Sequence, residues 1–303
     1  MEKVVILLSS YNGEKYISEQ LDSLINQEGV EVQILVRDDG SNDRTLDILK
    51  TYSKSEKLSF YTGGNLKPAR SFLQLLKDAP EANYYAFCDQ DDYWMTDKLK
   101  IAVESMKQYG ENEPILYCGR PRIVDKELKP LEDFSNRAIP LHPSTFESRL
   151  VVRNSPGCTF VMNRCLVNII NHIEPEFLEM HDCWIYQICS ALNGNIIYDD
   201  DVHILYRQHG NNVAGVESTL LGRARKRVQR LKDKSCERSK TASQILDCMR
   251  DSLNEEQIKS LEMLSEYKKS LGSRLKIVFG KRFNTDSKSF NRNFKLAILF
   301  GIF

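Results

Sequence analysis

The chain has 303 residues, of which 41 % are hydrophobic and 28 % are charged, so it can form one large or two modest globular domains and is not a disordered chain. Its 42 basic and 42 acidic residues cancel, so no general nucleic-acid-binding surface follows from the total charge, and we expect no nucleic-acid partner. No apolar stretch reaches the roughly 20 residues of a membrane-spanning helix.

The cysteines and the N-terminal segment indicate the compartment. Eight cysteines occur singly, with no C-x-x-C spacing that would suggest a zinc or redox site. The opening segment "MEKVVILLSSYNGEKY" carries an acid at its second position, and its apolar run is too short for a signal peptide. We therefore expect a cytoplasmic protein with reduced thiols.

The first 120 residues alternate between strand-like and helix-like patterns. The apolar run "VVILLSS" predicts a buried strand, and "GEKYISEQLDSLINQ" has apolar residues at helical spacing. The pattern repeats with "VQILVRDDGS" and "NDRTLDILKTYS", whose expected helix cap is Ser41 or Asn42, with "LSFYTGGN" and "PARSFLQLLKDA", and with "YYAFCD" and "TDKLKIAVESMKQY". This alternation predicts an α/β fold, a doubly wound and mostly parallel sheet with flanking helices.

The pattern changes further along the chain. "ILYCGRPRIVD" predicts a strand, "PGCTFVMNRCLVNII" a turn, a strand and a helix, and "EMHDCWIYQICSALNG" a helix that Gly194 ends. "NIIYDDDVHILYRQHGNNVAG" predicts two strands and a polar loop, and beyond residue 216 the sequence is charged and helical. We predict a domain of residues 1–215 and a helical C-terminal region of residues 216–303.

Polar side chains follow three of the predicted strands. The segments are Ser9-Ser10-Tyr11, Asp38-Asp39 and Asp89-Gln90-Asp91. In an open α/β sheet, ligands bind outside the carboxyl ends of the strands, so these groups should converge on one rim. Each segment alone is also typical of a turn, but three together favour one binding site.

The chemistry of this rim suits a nucleotide held by a cation. The chain has no G-x-G-x-x-G motif and no Walker loop, so a metal has to meet the charge of a phosphorylated ligand. Asp89 and Asp91 supply the oxygen ligands that Mg²⁺ and Mn²⁺ prefer. Tyr11 offers a stacking face to a base, and Asp38 or Asp39 an acceptor. Receiver domains and phosphatase-like hydrolases also gather acids at strand ends, but neither needs Tyr11 or an aromatic residue after the acids.

Six segments resemble a known family in their order and spacing. They are "SSYNGEKYISEQLDSLINQ", "VRDDGSNDRT", "CDQDDYW", "PGCTFVMNR", "MHDCW" and "YRQHGNNVAG". Together, over residues 3–215, they resemble family 2 glycosyltransferases of the GT-A fold, and more narrowly the bacterial rhamnosyltransferases of surface polysaccharide synthesis.

The resemblance implies roles for individual residues. Donor-nucleotide contacts fall on Ser9, Tyr11, Glu14, Asp39, Arg70 and Asp89, and the rim adds Asp38 and Gln90. The metal ligands are Asp91, with Asp89 beside it, and His209 as a further ligand, although a plain loop or core histidine is an equal alternative.

The catalytic base implied by the resemblance is Asp182, in the pair "HD" at a helix start, where His181 stands in place of the usual acid. An inverting transfer needs such a carboxylate to take the proton of the attacking hydroxyl. The N-terminal dipoles of the helix favour its ionised form. Without the family context, Asp182 could be an ordinary helix cap.

Four further residues are candidates for the sugar or acceptor pocket: Trp94, Gly157, His181 and Trp184. Aromatic faces suit sugar C–H surfaces, but core packing accounts equally well for both tryptophans. Gly157 allows close approach of the backbone to the sugar, or serves only the turn.

The C-terminal third is basic. Residues 223–240 hold nine Lys or Arg against two acids, and residues 268–295 nine against one. "LLGRARKRVQRLKDK", "LKIVFGKRF" and "FKLAILFGIF" mix these cations with apolar residues, which fits helices lying on the anionic inner face of the cell membrane. A solvated appendage or a homodimer contact is the alternative.

We therefore expect an inverting, metal-dependent glycosyltransferase with Mn²⁺ or Mg²⁺ as cofactor. The leading donor is dTDP-L-rhamnose, with a UDP-sugar glucosyl- or galactosyltransferase as the alternative. The expected acceptor is a lipid-linked oligosaccharide in capsule, O-antigen or cell-wall polysaccharide synthesis. A hypothesis of another class is a non-catalytic scaffold that binds a nucleotide sugar.

Overall fold

The computed structural model of the chain describes residues 1–131, 142–152, 156–209 and 237–303. The predicted domain boundary near residue 215 and the basic segment 220–234 lie outside these residues. The described residues form two compact units. The first comprises residues 1–131, 156–174 and 180–208, and the second comprises residues 142–152, 175–179, 209 and 237–303.

An eight-stranded sheet forms the centre of the first unit. Its strands are β1 (Lys3–Ser10), β2 (Glu31–Asp38), β3 (Leu58–Thr62), β4 (Tyr84–Asp89), β5 (Tyr93–Trp94), β6 (Ile115–Val124), β7 (Phe160–Asn163) and β8 (Asn195–Arg207). The strand order is β3-β2-β1-β4-β7-β6-β8-β5. β3, β2, β1 and β4 are parallel, as are β6 and β8, while β7 and β5 run antiparallel to their neighbours.

Six helices accompany the sheet in the first unit. They are α1 (Ile17–Ile25), α2 (Thr45–Tyr52), α3 (Lys67–Asp78), α4 (Lys98–Met106), α6 (Arg164–Asn171) and α7 (His181–Ala191). β1 is buried along almost its whole length, as expected of a continuous apolar run in a parallel sheet. The α/β fold predicted from the alternating pattern is confirmed.

The second unit is helical. It contains α5 (Phe146–Val151), α8 (Glu237–Met249), α9 (Glu255–Glu266), α10 (Leu271–Phe279) and α11 (Lys288–Phe300). Residues 142–152 and 175–179 belong to it although they precede the C-terminal region in sequence. Among the described residues, no helix is both long and apolar enough to cross a bilayer.

Two local predictions were wrong. Residues 195–207 form one long strand rather than two, because register shifts around Arg120 of β6 let β8 follow it without a break. Neither Ser41 nor Asn42 caps α2, because the side chain of Asp43 accepts the backbone N–H of Thr45 instead.

Candidate active site

The strand register brings the polar residues of the rim together. In the β1–β2 pair Ser10 lies opposite Asp38, and in the β1–β4 pair Ser9 lies opposite Asp89. Because these three strands are parallel, their carboxyl ends open at one edge of the sheet, where ligands bind in folds of this class. The candidate site is built on this edge.

Asp38 organises the turn after β2. Its carboxylate is fully buried and accepts the backbone N–H groups of Gly40 (3.1 Å) and Ser41 (2.8 Å). It also accepts the hydroxyls of Ser10 (2.9 Å) and Ser41 (2.6 Å). Four donors thus already occupy both oxygens of Asp38, and its expected contact with the donor nucleotide remains a prediction.

Asp39 lies beside the rim within a polar cluster. Its carboxylate pairs with Arg37, accepts the hydroxyl of Ser71 (3.0 Å) and accepts the backbone N–H of Leu66 (3.0 Å). The hydroxyl of Ser9 lies 2.8 Å from that of Ser71, so Ser9 and Asp39 share one network. Their contact with a nucleotide remains a prediction.

Tyr11 is the exposed aromatic residue of the rim, with 45 % of its surface accessible. The side-chain amide of Gln90 accepts its backbone N–H (2.9 Å) and donates to its carbonyl (3.1 Å). Gln90 thus supports the Tyr11 loop, and its contact with the donor nucleotide remains a prediction. The carboxylate of Glu14 accepts the backbone N–H of Arg44 (2.9 Å), and Arg70 is exposed on α3.

Three carboxylates share the centre of the site. Burial and the negative charges of Asp91 and Asp182 raise the pKa of Asp89 to about 7. Asp89 and Asp91 follow β4, whereas Asp182 comes from a segment about ninety residues later, at the start of α7. The fold therefore concentrates negative charge at one point, as a site for a cation or for proton transfer requires.

Asp92 lies beneath this cluster and is fully buried. Its Oδ1 accepts the backbone N–H of Arg207 (3.1 Å), and burial raises its pKa well above the ordinary value. The donor atoms of Asp89, Asp92 and Cys158 lie within 4.8 Å of one another. The pKa of the Cys158 thiol is also raised by burial, so it stays protonated and is a poor ligand for a hard cation.

The oxygen donors of Asp89 and Asp91 fit a hard divalent cation such as Mg²⁺ or Mn²⁺. The raised pKa of Asp89 supports this fit, because the two carboxylates repel each other without a compensating charge. His209, the predicted further ligand, belongs to the second unit, and its role remains a prediction.

Arg207 holds the acidic loop, and the sequence prediction missed it. Its buried guanidinium donates to the carbonyls of Asp91 (2.8 Å) and Lys126 (2.6 Å) and pairs with the carboxylate of Glu19. It also lies over the ring of Tyr16, 4.6 Å from the centroid. The only signal in the sequence was one cation directly after the apolar residues Ile204, Leu205 and Tyr206, inside the motif "YRQHGNN".

Lys98 is a second buried cation near the acids. Its Nζ lies 3.4 Å from the ring centroid of Trp94, a cation–π geometry. Burial lowers the pKa of Lys98 to about 8, while the charge of Asp92 acts in the opposite direction. The fully buried Trp94 thus packs against Lys98 and offers no face to a sugar in this structure.

Asp182 occupies the first turn of α7. Its Oδ1 accepts the backbone N–H of Cys183 (2.6 Å), which fixes the carboxylate at the helix start. Trp184, two residues later, is buried in the core, as the alternative of core packing expects. Its contact with an acceptor remains a prediction.

His181 and Gly157 pack directly behind Asp182. The imidazole of His181 is buried between Phe72 (ring centroids 4.1 Å apart) and Phe87 (5.0 Å), and burial lowers its pKa to about 4. A Cβ at position 157 would lie 2.6 Å from Nε2 of His181 and 3.1 Å from Cβ of Asp182, so only glycine fits. Both residues therefore pack against Asp182, and their place in a sugar or acceptor pocket remains a prediction.

Comparisons with known proteins identify the class. Residues 5–166 match the family model for glycosyl transferase family 2. The chain is 31 % identical over 231 residues to the dTDP-rhamnosyl transferase RfbG of Shigella flexneri, a match covering 69 % of this chain and 73 % of RfbG. It is 29 % identical over 210 residues to the poly(ribitol-phosphate) beta-N-acetylglucosaminyltransferase TarS of Staphylococcus aureus, covering 65 % of this chain and 34 % of TarS.

Solved structures show the same fold. TarS residues 1–349 in complex with UDP-GlcNAc superpose with a TM-score of 0.58 at 20 % identity, covering 98 % of this chain and 81 % of that one. The mannosyltransferase PcManGT of Pyrobaculum calidifontis, in complex with GDP-Man and Mn²⁺, gives a TM-score of 0.55 at 14 % identity, covering 98 % and 85 %.

The fold and these matches define a glycosyltransferase of the GT-A fold, as the resemblance implied. The chain belongs to glycosyl transferase family 2, whose model matches more than half of it.

Proposed function

We propose that this protein is an inverting, cation-dependent glycosyltransferase that transfers a sugar from a nucleoside diphosphate to a hydroxyl of a lipid-linked saccharide. The observation that carries the proposal is that Asp89, whose pKa burial raises, also lies close enough to both Asp91 and Asp182 for their charges to raise it further. A carboxylate from a separate segment thus lies within reach of the charges that would hold a nucleoside diphosphate and its cation.

The proposed donor is dTDP-L-rhamnose, because the 31 % identity to RfbG extends over 69 % of the chain. A UDP-hexose is the alternative, supported by the likeness to TarS, whose structure was solved with UDP-GlcNAc. On the nucleotide side, the exposed ring of Tyr11 would stack on the base, and Asp39 with Ser9 would contact the nucleoside. Arg70 and Glu14 are the proposed outer contacts.

In the proposed mechanism Asp182 is the general base. Its carboxylate takes the proton from the acceptor hydroxyl as that oxygen forms a bond to the anomeric carbon. The bond from that carbon to the diphosphate oxygen breaks, and its electron pair leaves with the nucleoside diphosphate. His181 is neutral because burial lowers its pKa to about 4, so it adds no charge that would weaken the base.

Asp91 and Asp89, with His209 as the proposed further ligand, would hold the cation. A divalent ion bound there would neutralise negative charge that develops on the leaving diphosphate. Arg207 holds the acidic loop through the backbone carbonyl of Asp91, and the side chain of Gln90 joins that loop to the backbone of Tyr11.

The proposal is tested by incubating the full chain with dTDP-rhamnose, UDP-glucose, UDP-galactose and UDP-GlcNAc, each with Mn²⁺, with Mg²⁺ and with EDTA. Released nucleoside diphosphate is measured with and without a lipid-linked saccharide. We expect release that depends on one donor and on the cation. Tight binding of a nucleotide sugar with no release under any condition would favour the non-catalytic scaffold instead.

A further inference from the structure

Two C-terminal helices leave large apolar side chains exposed. The exposed fractions are 62 % for Leu271, 81 % for Phe279, 46 % for Leu296 and 66 % for Phe300. All large exposed apolar residues in the described part of the second unit lie in α10 and α11. We call these four residues the apolar patch of α10–α11. Such a concentration marks an interaction surface rather than isolated exposure.

The inner face of α11 already has its own partners. Phe294 and Ile298 are buried, and the ring of Phe294 lies 4.7 Å from that of Phe303 in an edge-on arrangement. Leu296 and Phe300, four residues apart, lie on the opposite, exposed side of the helix. The helix therefore carries a second apolar face beyond the one that packs it into the unit.

The same segment has an excess of positive charge. Residues 271–303 contain seven Lys or Arg and one acid, Asp286. Two of the seven stabilise the unit: Arg282 pairs with Glu147 and Glu256, and Arg274 donates to the carbonyl of Leu299 (3.0 Å).

The other five make no ion pair within the described residues: Lys276, Lys281, Lys288, Arg292 and Lys295. By contrast, Lys259 and Lys269, which flank or lie in α9, pair with nearby acids. Among the described residues, the surface of α10 and α11 thus combines cations that form no ion pair with exposed apolar side chains.

We propose that α10 and α11 dock the protein on an anionic lipid bilayer. Aromatic and leucine side chains can enter the boundary between headgroups and acyl chains, while Lys and Arg pair with anionic headgroups. A lipid surface fits better than an acidic protein partner because the patch offers bulky apolar groups and cations. The inference extends the proposed function by naming the surface that would bring the enzyme to a lipid-linked acceptor.

The test is vesicle binding by the full chain without any donor, so its result does not depend on sugar transfer. Flotation is compared between vesicles of phosphatidylcholine alone and vesicles that also contain phosphatidylglycerol. We expect binding to the anionic vesicles that weakens as NaCl rises from about 0.1 M to about 0.5 M. Two variants should each reduce binding to the anionic vesicles at least roughly tenfold. The first combines Phe279→Ser with Phe300→Ser, and the second combines Lys281→Gln, Arg292→Gln and Lys295→Gln.

Control variants change exposed residues of the first unit. The double variant changes Met95→Ser and Tyr109→Ser, and the triple variant changes Lys54→Gln, Lys57→Gln and Lys100→Gln. Both should bind vesicles as the unchanged chain does. Equal binding by the α10–α11 variants would overturn the proposal even if the chain binds lipid through another segment. A second result would also overturn the proposal: the chain does not bind vesicles, and sedimentation shows a dimer that the two Phe substitutions dissociate. In that case a second copy of the chain would cover the patch.

Discussion

Arg207 donates its Nε–H to the backbone carbonyl of Asp91 across 2.8 Å, although the two residues are 116 positions apart in sequence. Its own backbone N–H donates to the carboxylate of Asp92 (3.1 Å). The end of β8 therefore fixes both residues of the acidic loop that follow Gln90.

Arg207→Met should loosen this loop. The substitution removes the donors to two carbonyls and leaves Glu19 without its partner, so we expect a loss of at least about 2 kcal/mol in the free energy of unfolding. The loss stays below the ~3–5 kcal/mol of a fully buried pair because Glu19 is half exposed. Urea unfolding and Mn²⁺-dependent nucleotide binding measure the two effects. Arg207→Lys keeps the charge, so it should lose less stability and less nucleotide binding than Arg207→Met. If Arg207→Met were as stable as the unchanged chain, Arg207 would not hold the acidic loop.

Gly157→Ala should slow transfer without weakening donor binding. The new methyl group would meet Nε2 of His181 at 2.6 Å and Cβ of Asp182 at 3.1 Å, so the base must shift. A displacement of about 1 Å can cost roughly 100-fold in kcat. Steady-state kinetics and nucleotide titration separate the two effects.

The matched control for Gly157 is Gly64→Ala, because a Cβ at Gly64 meets no atom within 4 Å. Adding His181→Ser to Gly157→Ala should restore part of kcat, since the imidazole that collides is removed. If Gly157→Ala and Gly64→Ala have the same kcat, Gly157 does not position Asp182.

Asp92 and Lys98 should be energetically coupled. The negative charge of Asp92 acts to raise the pKa of the buried Lys98, although Oδ2 of Asp92 and Nζ of Lys98 form no hydrogen bond in the described part of the chain. In a double-mutant cycle with Asp92→Asn and Lys98→Met, we expect a coupling free energy of about 0.5–3 kcal/mol in urea unfolding. The control cycle uses Asp47→Asn and Lys50→Met, an exposed pair at 3.5 Å that should couple by less than about 0.5 kcal/mol. Equal coupling in the two cycles would contradict the buried electrostatic link.

Asp89 and His181 should tilt the pH dependence of stability in opposite directions when EDTA removes divalent ions. The pKa of Asp89 is raised from 3.8 to about 7, so the folded state binds more protons in that window and stability falls as pH rises through it. The pKa of His181 is lowered from 6.5 to about 4, so the unfolded state binds more protons and stability rises with pH in that window.

The measurement is the free energy of unfolding between pH 4 and pH 7, in steps, for the unchanged chain and two variants. Relative to the unchanged chain, Asp89→Asn should give a more positive slope and His181→Gln a more negative one. Each change is at most about 1.4 kcal/mol per pH unit. Changes of the same sign in the two variants would show that the pKa shifts are assigned wrongly.

The rim could be predicted from the sequence because parallel strands must present their carboxyl ends on one edge. Apolar runs that end in Ser9, Asp38 and Asp89 were therefore enough to place these residues together. The different environments of the neighbours Asp38 and Asp39 could not be predicted, because they depend on which side of the turn each carboxylate points to. Both are buried, but four donors enclose Asp38 whereas Asp39 joins the network of Ser9.

Contacts between distant segments account for the rest of what the sequence did not predict. Nothing near Arg207 in sequence indicates that it holds a loop 116 positions earlier. An aromatic residue beside an acid suits a sugar pocket and a core equally well, and only packing decided that Trp94 and Trp184 are buried. The inclusion of residues 142–152 and 175–179 in the helical unit likewise depends on packing.

The central claim is that Asp182 is the base of a sugar transfer at the acidic rim. The most direct measurement compares the unchanged chain with Asp182→Asn, recording sugar transfer from the active donor and nucleotide binding in the same samples. Asn keeps the size of the side chain and can still accept the N–H of Cys183, so the fold and the donor site should be retained. We predict that nucleotide binding is unchanged and that kcat falls by roughly 100-fold or more. Transfer at the rate of the unchanged chain would contradict the account.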